Sequence, residues 1–176
     1  MRPIVASVLM MFAFSVAVAD DVKVFELKSE KGRFTAKFPS KPTESKQEVP
    51  LAGTDKKILV VNNVVEVGTS AAYIVAYNDY PEGVLAPKAQ DVLAGVRDGN
   101  MGAEGKLVEE KTGTFGDDKL PMREFTFTKG KLHFRNKLVL DGTRLYQVMI
   151  VADNEKALTA ASAKAFYDSF SLAKKK

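Results

Sequence analysis

The chain carries one histidine and no cysteine, so few residues are available for proton transfer or metal binding. His133 lies in Leu132-His133-Phe134-Arg135-Asn136-Lys137, where strand alternation sets it on one face with Arg135 and Lys137. A lone histidine among cations lacks the companion ligands of a zinc site, and a serine relay would need a serine and an acid brought to it by the fold. The absence of cysteine excludes thiol nucleophiles and thiolate metal sites. Carboxylates pair at Glu109-Glu110 and Asp117-Asp118. Adjacent strand residues point to opposite faces, so Glu109 and Glu110 cannot both aim at one bond. Asp117 and Asp118 follow Gly116 in a turn, where aspartate bonds its local backbone, and Lys119 stands where a calcium loop needs further oxygen ligands. Gly95, Gly99, Gly102 and Gly105 follow a helical pattern instead of preceding one, and no Gly-Lys-Ser/Thr occurs, so nucleotide binding has no support.

The constellation with the most chemistry is Arg123, Glu124, Arg135, Arg144 and Tyr146, spread over three consecutive hairpin-linked segments. Guanidinium groups beside a tyrosine can bind an anion or a protein partner. Arg123, Arg135, Arg144 and Tyr146 are the expected ligand or partner face. Arg123 and Glu124 point to opposite faces, so all five cannot form one patch, and a cross-strand pair of Glu124 with one arginine is the competing explanation. Tyr73 and Tyr77 share a strand face and read as core aromatics with hydrated hydroxyls, followed by Tyr80-Pro81.

The elements that must position these residues follow from periodicity. An apolar opening at 22–27 and a turn at Lys31-Gly32 precede a strand at 33–38, with Phe34, Ala36 and Phe38 on one face, ended by Pro39-Ser40-Lys41-Pro42. A polar strand is expected at 44–49, a Val-rich strand buried on much of both faces at 58–67, and another at 72–77, with a turn at 78–81. Ala89, Val92, Leu93 and Val96 are spaced as one helical stripe, which predicts a helix over 87–97 with Pro87 in its first turn and a stop in the Gly99–Gly105 region. Four antiparallel strands are expected at 107–115, 120–128, 132–140 and 144–151, joined by short glycine-bearing turns. Asn154 can cap a last helix with an apolar line of Leu158, Ala161, Ala165 and Phe166, before a short strand at 169–172.

Arg2, the apolar run 4–16 and Ala17-Val18-Ala19 form the pattern of an export signal, with cleavage between Ala19 and Asp20. The run is shorter than the roughly 20 residues of a membrane span. The expected division is a signal peptide at 1–19, one domain at 20–173 and a solvated basic tail at 174–176, with stable membrane anchoring not expected. Cleavage removes Arg2 and no acid, leaving 25 basic against 22 acidic residues and a formal charge of +3 in place of +4. The basic residues are interspersed with acids, which argues against a nucleic-acid footprint.

In order, the chain shows Gly32-x-Phe34-x-Ala36-x-Phe38-Pro39, Tyr73-x-Val75-x-Tyr77-x-Asp79-x-Pro81, a helix, Arg123-Glu124-Phe125, Gly142-x-Arg144-x-Tyr146 and Phe166-x-x-Ser169-Phe170. Over nearly the whole mature chain this resembles small exported bacterial proteins of unknown function with the Mog1/PsbP/DcrB-like α/β/α sandwich. The resemblance implies a fold and an accessory or binding role, with no shared catalytic residues to carry over and without the lipidated cysteine of DcrB-type members. The expectation is thus an α+β layered sandwich, mainly an antiparallel sheet packed by two helices. Its expected role is a soluble, exported accessory or binding protein of the periplasm or exterior, without cofactor or metal, that presents a sheet face to a protein or small anionic ligand. The alternative is a small envelope hydrolase using His133 or a carboxylate; oligomeric state stays open.

Overall fold

The computed structural model describes residues 24–51, 55–85 and 88–174. The expected cleavage residues Ala17, Ala19 and Asp20, Pro87 (expected in the first helical turn) and the last two lysines of the tail lie outside the described residues. Among the described residues, ten strands and two α-helices follow one another: β1 (Phe25–Ser29), β2 (Phe34–Phe38), β3 (Thr43–Pro50), β4 (Lys57–Val67), β5 (Ala71–Asp79), α1 (Ala89–Met101), β6 (Lys106–Phe115), β7 (Leu120–Lys129), β8 (Leu132–Asp141), β9 (Arg144–Ala152), a 3-10 turn (Glu155–Thr159), α2 (Ala161–Ser169) and β10 (Ser171–Leu172).

Seven strands form one antiparallel sheet in the order β3-β4-β5-β9-β8-β7-β6, and β1-β2-β10 form a second, smaller sheet. The large sheet is covered diagonally. On one face α1 inserts Leu93 among Phe125, Phe127, Leu138, Leu140 and Leu145, over the β7–β8 end. On the other face the small sheet and α2 bury Phe34, Ala36, Phe38, Ala163, Phe166 and Tyr167 against Val61, Tyr73, Val75, Tyr146 and Val148 of β4, β5 and β9. Each face therefore keeps an uncovered end. The layered α+β architecture expected from the sequence is the one observed.

Four local expectations change. β4 is fully buried on one face only: Val61, Asn63 and Val65 are buried, whereas Val60, Asn62 and Val64 on the opposite face are half-buried, because α1 covers that face only toward the β7–β8 end. The turn expected at 78–81 starts later, since Asn78 and Asp79 continue the ladder opposite Leu145 and Arg144, and cross-strand bonding overrides local turn chemistry. Helix α1 runs through Gly95 and Gly99 to Met101, and Gly102 at φ 60° ends it by donating its N–H to the Asp98 carbonyl. Each helical glycine costs about 1 kcal/mol against alanine, which burial of the Leu93 stripe offsets. At the C-terminal end the Asn154 side chain accepts from the Ala157 N–H, but the capped turn is 3-10 and breaks at Ala160. That break rephases α2, so Ala163, Phe166 and Tyr167 face the core while Ala161 and Ala165 are exposed.

Candidate functional site

Of the four residues of the expected face, the structure keeps Arg144 and Tyr146 together and sets Arg123 and Arg135 apart from them. Tyr146 is 1% exposed and its hydroxyl donates to the Gly32 carbonyl at 2.9 Å, joining the two sheets. Arg144 lies beside it and grips Asp79 through Nε and Nη2 at 2.6 and 2.5 Å, with Nη1 on the Lys31 carbonyl at 2.8 Å. Its hydrogen bonds hold the Asp79 carboxyl below the usual carboxylate range. Arg123 emerges on the opposite face, under α1, where it pairs with Glu110 at 2.5 Å and donates to the Gln90 carbonyl at 3.2 Å. Burial pushes the Glu110 carboxyl up, but hydrogen bonds from Arg123 and Arg97 outweigh it and hold the group below its ordinary range. These three side chains are consumed by the architecture. Glu124 pairs with Lys137 at 3.5 Å, not with an arginine.

Arg135 is different. Arg33, Arg97, Arg123 and Arg144 each have a carboxylate partner, whereas Arg135 has none among the described residues. Its guanidinium lies 3.9 Å from the centroid of the Tyr167 ring and gives one N–H to the Leu158 carbonyl at 3.4 Å. Tyr167 is itself fixed, 1% exposed, with its hydroxyl donating to the Asn136 carbonyl at 2.7 Å; burial pushes that hydroxyl well above the ordinary tyrosine range. Lys137 fills the space behind, its Nζ 4.2 Å from the same ring and 3.2 Å from the Tyr167 carbonyl. Burial lowers the affinity of this amine for its proton, against the pull of Glu124.

The register explains why these groups meet. Glu109, Thr126 and Arg135 stand opposite one another in one row across β6, β7 and β8, and Lys111, Glu124 and Lys137 form the next row on the same face. Their β8 members, Arg135 and Lys137, lie against Tyr167 of α2, while Glu109 and Lys111 on β6 are exposed. Glu109, Lys111, Glu124, Phe125, Thr126 and Arg135 line a half-open cleft of about 260 Å³ together with Tyr167.

Among solved structures, the chain is similar to cyanobacterial PsbP (CyanoP) from Synechocystis sp. PCC 6803, with a TM-score of 0.52 and 13% identity over 93% of this chain and 98% of that one. The fold is PsbP-like. A protein of unknown function from Pseudomonas aeruginosa is also similar, at a TM-score of 0.40 and 14% identity over 68% of this chain and 88% of that one. No protein-family profile and no curated protein matches the chain.

Within this PsbP-like fold the cleft joins residues from the β6–β8 meander and α2. Sequence reasoning singled out Arg135 and missed Glu109, Lys111, Thr126 and Tyr167 as its neighbours. The row was readable: the two-residue turn Gly130-Lys131 pairs Lys129 with Leu132 and so sets Thr126 opposite Arg135. Tyr167 was not, because it comes from a helix whose phase depends on the break at Ala160. His133 stands at the end of β8 opposite Thr128 and Ala152, and its ring makes no hydrogen bond among the described residues. No group of three His, Asp or Glu residues able to hold a metal ion occurs among the described residues. Glu109 and Glu110 divide between the two faces, one in the cleft and the other under α1. A larger groove of about 580 Å³ runs beside Phe115, Leu120, Phe170 and Leu172, with Asp117, Asp118 and Lys174 also lining it.

Proposed function

We propose that this chain is an exported, non-catalytic binding module of the Mog1/PsbP/DcrB-like kind, and that it holds an anionic group on the open end of its sheet through Arg135. The observation that carries this reading is the ion-pair inventory: every other described arginine is committed to a carboxylate, while Arg135 is held in place with donors to spare. A guanidinium stacked on an aromatic face is pre-organised for a planar anion, so little further ordering is needed on binding. The signal-like residues 1–19 support export to the periplasm or exterior. A hydrolase built on His133 has no comparable support, since a general base must be oriented by a hydrogen-bonded partner.

The test is an NMR titration of the arginine side-chain N–H signals with acetate. A saturable shift at Arg135, with Arg144 and Arg123 unmoved, is expected. Uniform small shifts at all arginines, equal to those with chloride, would overturn the reading.

A further inference from the structure

Three ionisable groups in the cleft are left without a protein counter-charge, and they differ in sign. Glu124 is satisfied by Lys137. Arg135, Lys111 and Glu109 line the same space and none makes an ion pair among the described residues. Glu109 and Arg135 are two strands apart in one row, so their backbones stand about 10 Å apart, twice the usual strand spacing. Opposite charges that share a cleft without closing on one another leave room for a bridging molecule of reversed polarity.

From this we infer that the cleft takes a dicarboxylic α-amino acid, one carboxylate on the Arg135 fork, the other toward Lys111 and the ammonium toward Glu109. The inference rests on the reading of Arg135 as an anion site and adds the chemical class of the ligand. Two unpaired cations and one unpaired anion complement two carboxylates and one ammonium in sign and number. Thr126 stands between Glu109 and Arg135 in the row, and its hydroxyl adds a neutral donor or acceptor at the middle of the bridge. Size agrees as well. The cleft measures about 260 Å³, just below the roughly 300–1,000 Å³ of sites that take drug-sized molecules. The stacked Arg135 recognises a planar carboxylate through paired N–H donors, which a flexible lysine at that position would do less well.

Calorimetric titration of the full chain with L-glutamate and L-aspartate tests the assignment, alongside glutarate (no ammonium), N-acetyl-L-glutamate (ammonium blocked) and L-glutamine (one carboxylate removed). Saturable binding of L-glutamate or L-aspartate is expected, weakened about tenfold or more by Arg135→Gln and by the loss of the side-chain carboxylate in L-glutamine, as for a charged hydrogen bond. Glu109→Gln is expected to weaken L-glutamate but leave glutarate unchanged, a pattern that general misfolding would not produce. Equal affinity for glutarate and L-glutamate, with no effect of Glu109→Gln, would overturn the ammonium assignment. No heat with any of these ligands, while acetate still shifts Arg135, would overturn the inference and leave the anion site standing. Failure of both titrations would remove both.

Discussion

The Tyr146 hydroxyl reaches the Gly32 carbonyl at 2.9 Å, across 114 positions of sequence, and ties the turn between β1 and β2 to the middle of the large sheet. A residue whose pattern suggested a binding face is thereby a fastening between layers. Tyr146→Phe removes the donor and leaves a buried carbonyl unpaired, which costs about 1–3 kcal/mol. Urea unfolding should show that loss with an unchanged m-value, and an unchanged midpoint would refute the fastening role.

Gly32 meets the same region from the other side. A Cβ there would lie 2.6 Å from Phe34 Cε1 and 2.7 Å from Ser29 Oγ, and Phe34 is locked in the core at 2% exposure. Gly32→Ala should therefore cost about 1–3 kcal/mol, as overpacking does. Gly142 has open space around it, but its φ is +62°, so Gly142→Ala should cost about 1 kcal/mol through backbone strain alone. Thermal unfolding of both variants checks the order, with Gly32→Ala the less stable.

Glu110 joins Arg97 of α1 to Arg123 of β7 at 2.6 and 2.5 Å. Its carboxyl is held below its ordinary value of 4.5, so its contribution is fully present above that pH and is lost as pH falls through the lower folded value. Glu110→Gln should cost about 2–3 kcal/mol at neutral pH, between the values for exposed and buried pairs. Its stability should also fall less steeply than that of the parent below pH 4.5. Parallel melting curves at every pH would contradict this.

Lys137 behaves in the opposite sense. Burial lowers its proton affinity from the ordinary lysine value of 10.5, with Glu124 and Asp168 pulling it back up and Arg135 adding to the lowering. The folded protein then releases this proton before the unfolded chain does, so between the folded value and 10.5 stability rises with pH. The difference in stability between the parent and Lys137→Met should shift in favour of the parent as pH climbs toward 10.5. Denaturant titrations at several alkaline pH values read this directly, and a flat difference would show that the buried amine carries no penalty.

Much of the fold was legible along the chain. Phe34, Ala36 and Phe38 announced β2 by alternation and are all buried, and the hairpin turns at Gly116, Gly130 and Gly142 delimited the four strands of the β6–β9 meander. Parity also foretold that Arg123 and Glu124 would part company, and they do: one lies under α1, the other in the cleft. The candidate site was legible only in fragments. Arg135 was named for its type, but its solitude could be seen only after Glu110, Asp79 and Asp141 had been assigned to the other arginines.

By itself the sequence determined the strands, the main helical stripe and which residues of each strand share a side, because periods of 2 and 3.6 are local properties of the backbone. Tertiary structure alone decided the strand order, which half of each sheet face α1 and α2 cover, and therefore which charged row stays open to solvent. Glu109 and Arg135 are 26 positions apart and α2 begins 26 positions after Arg135. Their meeting depends on nonlocal packing that no local period encodes.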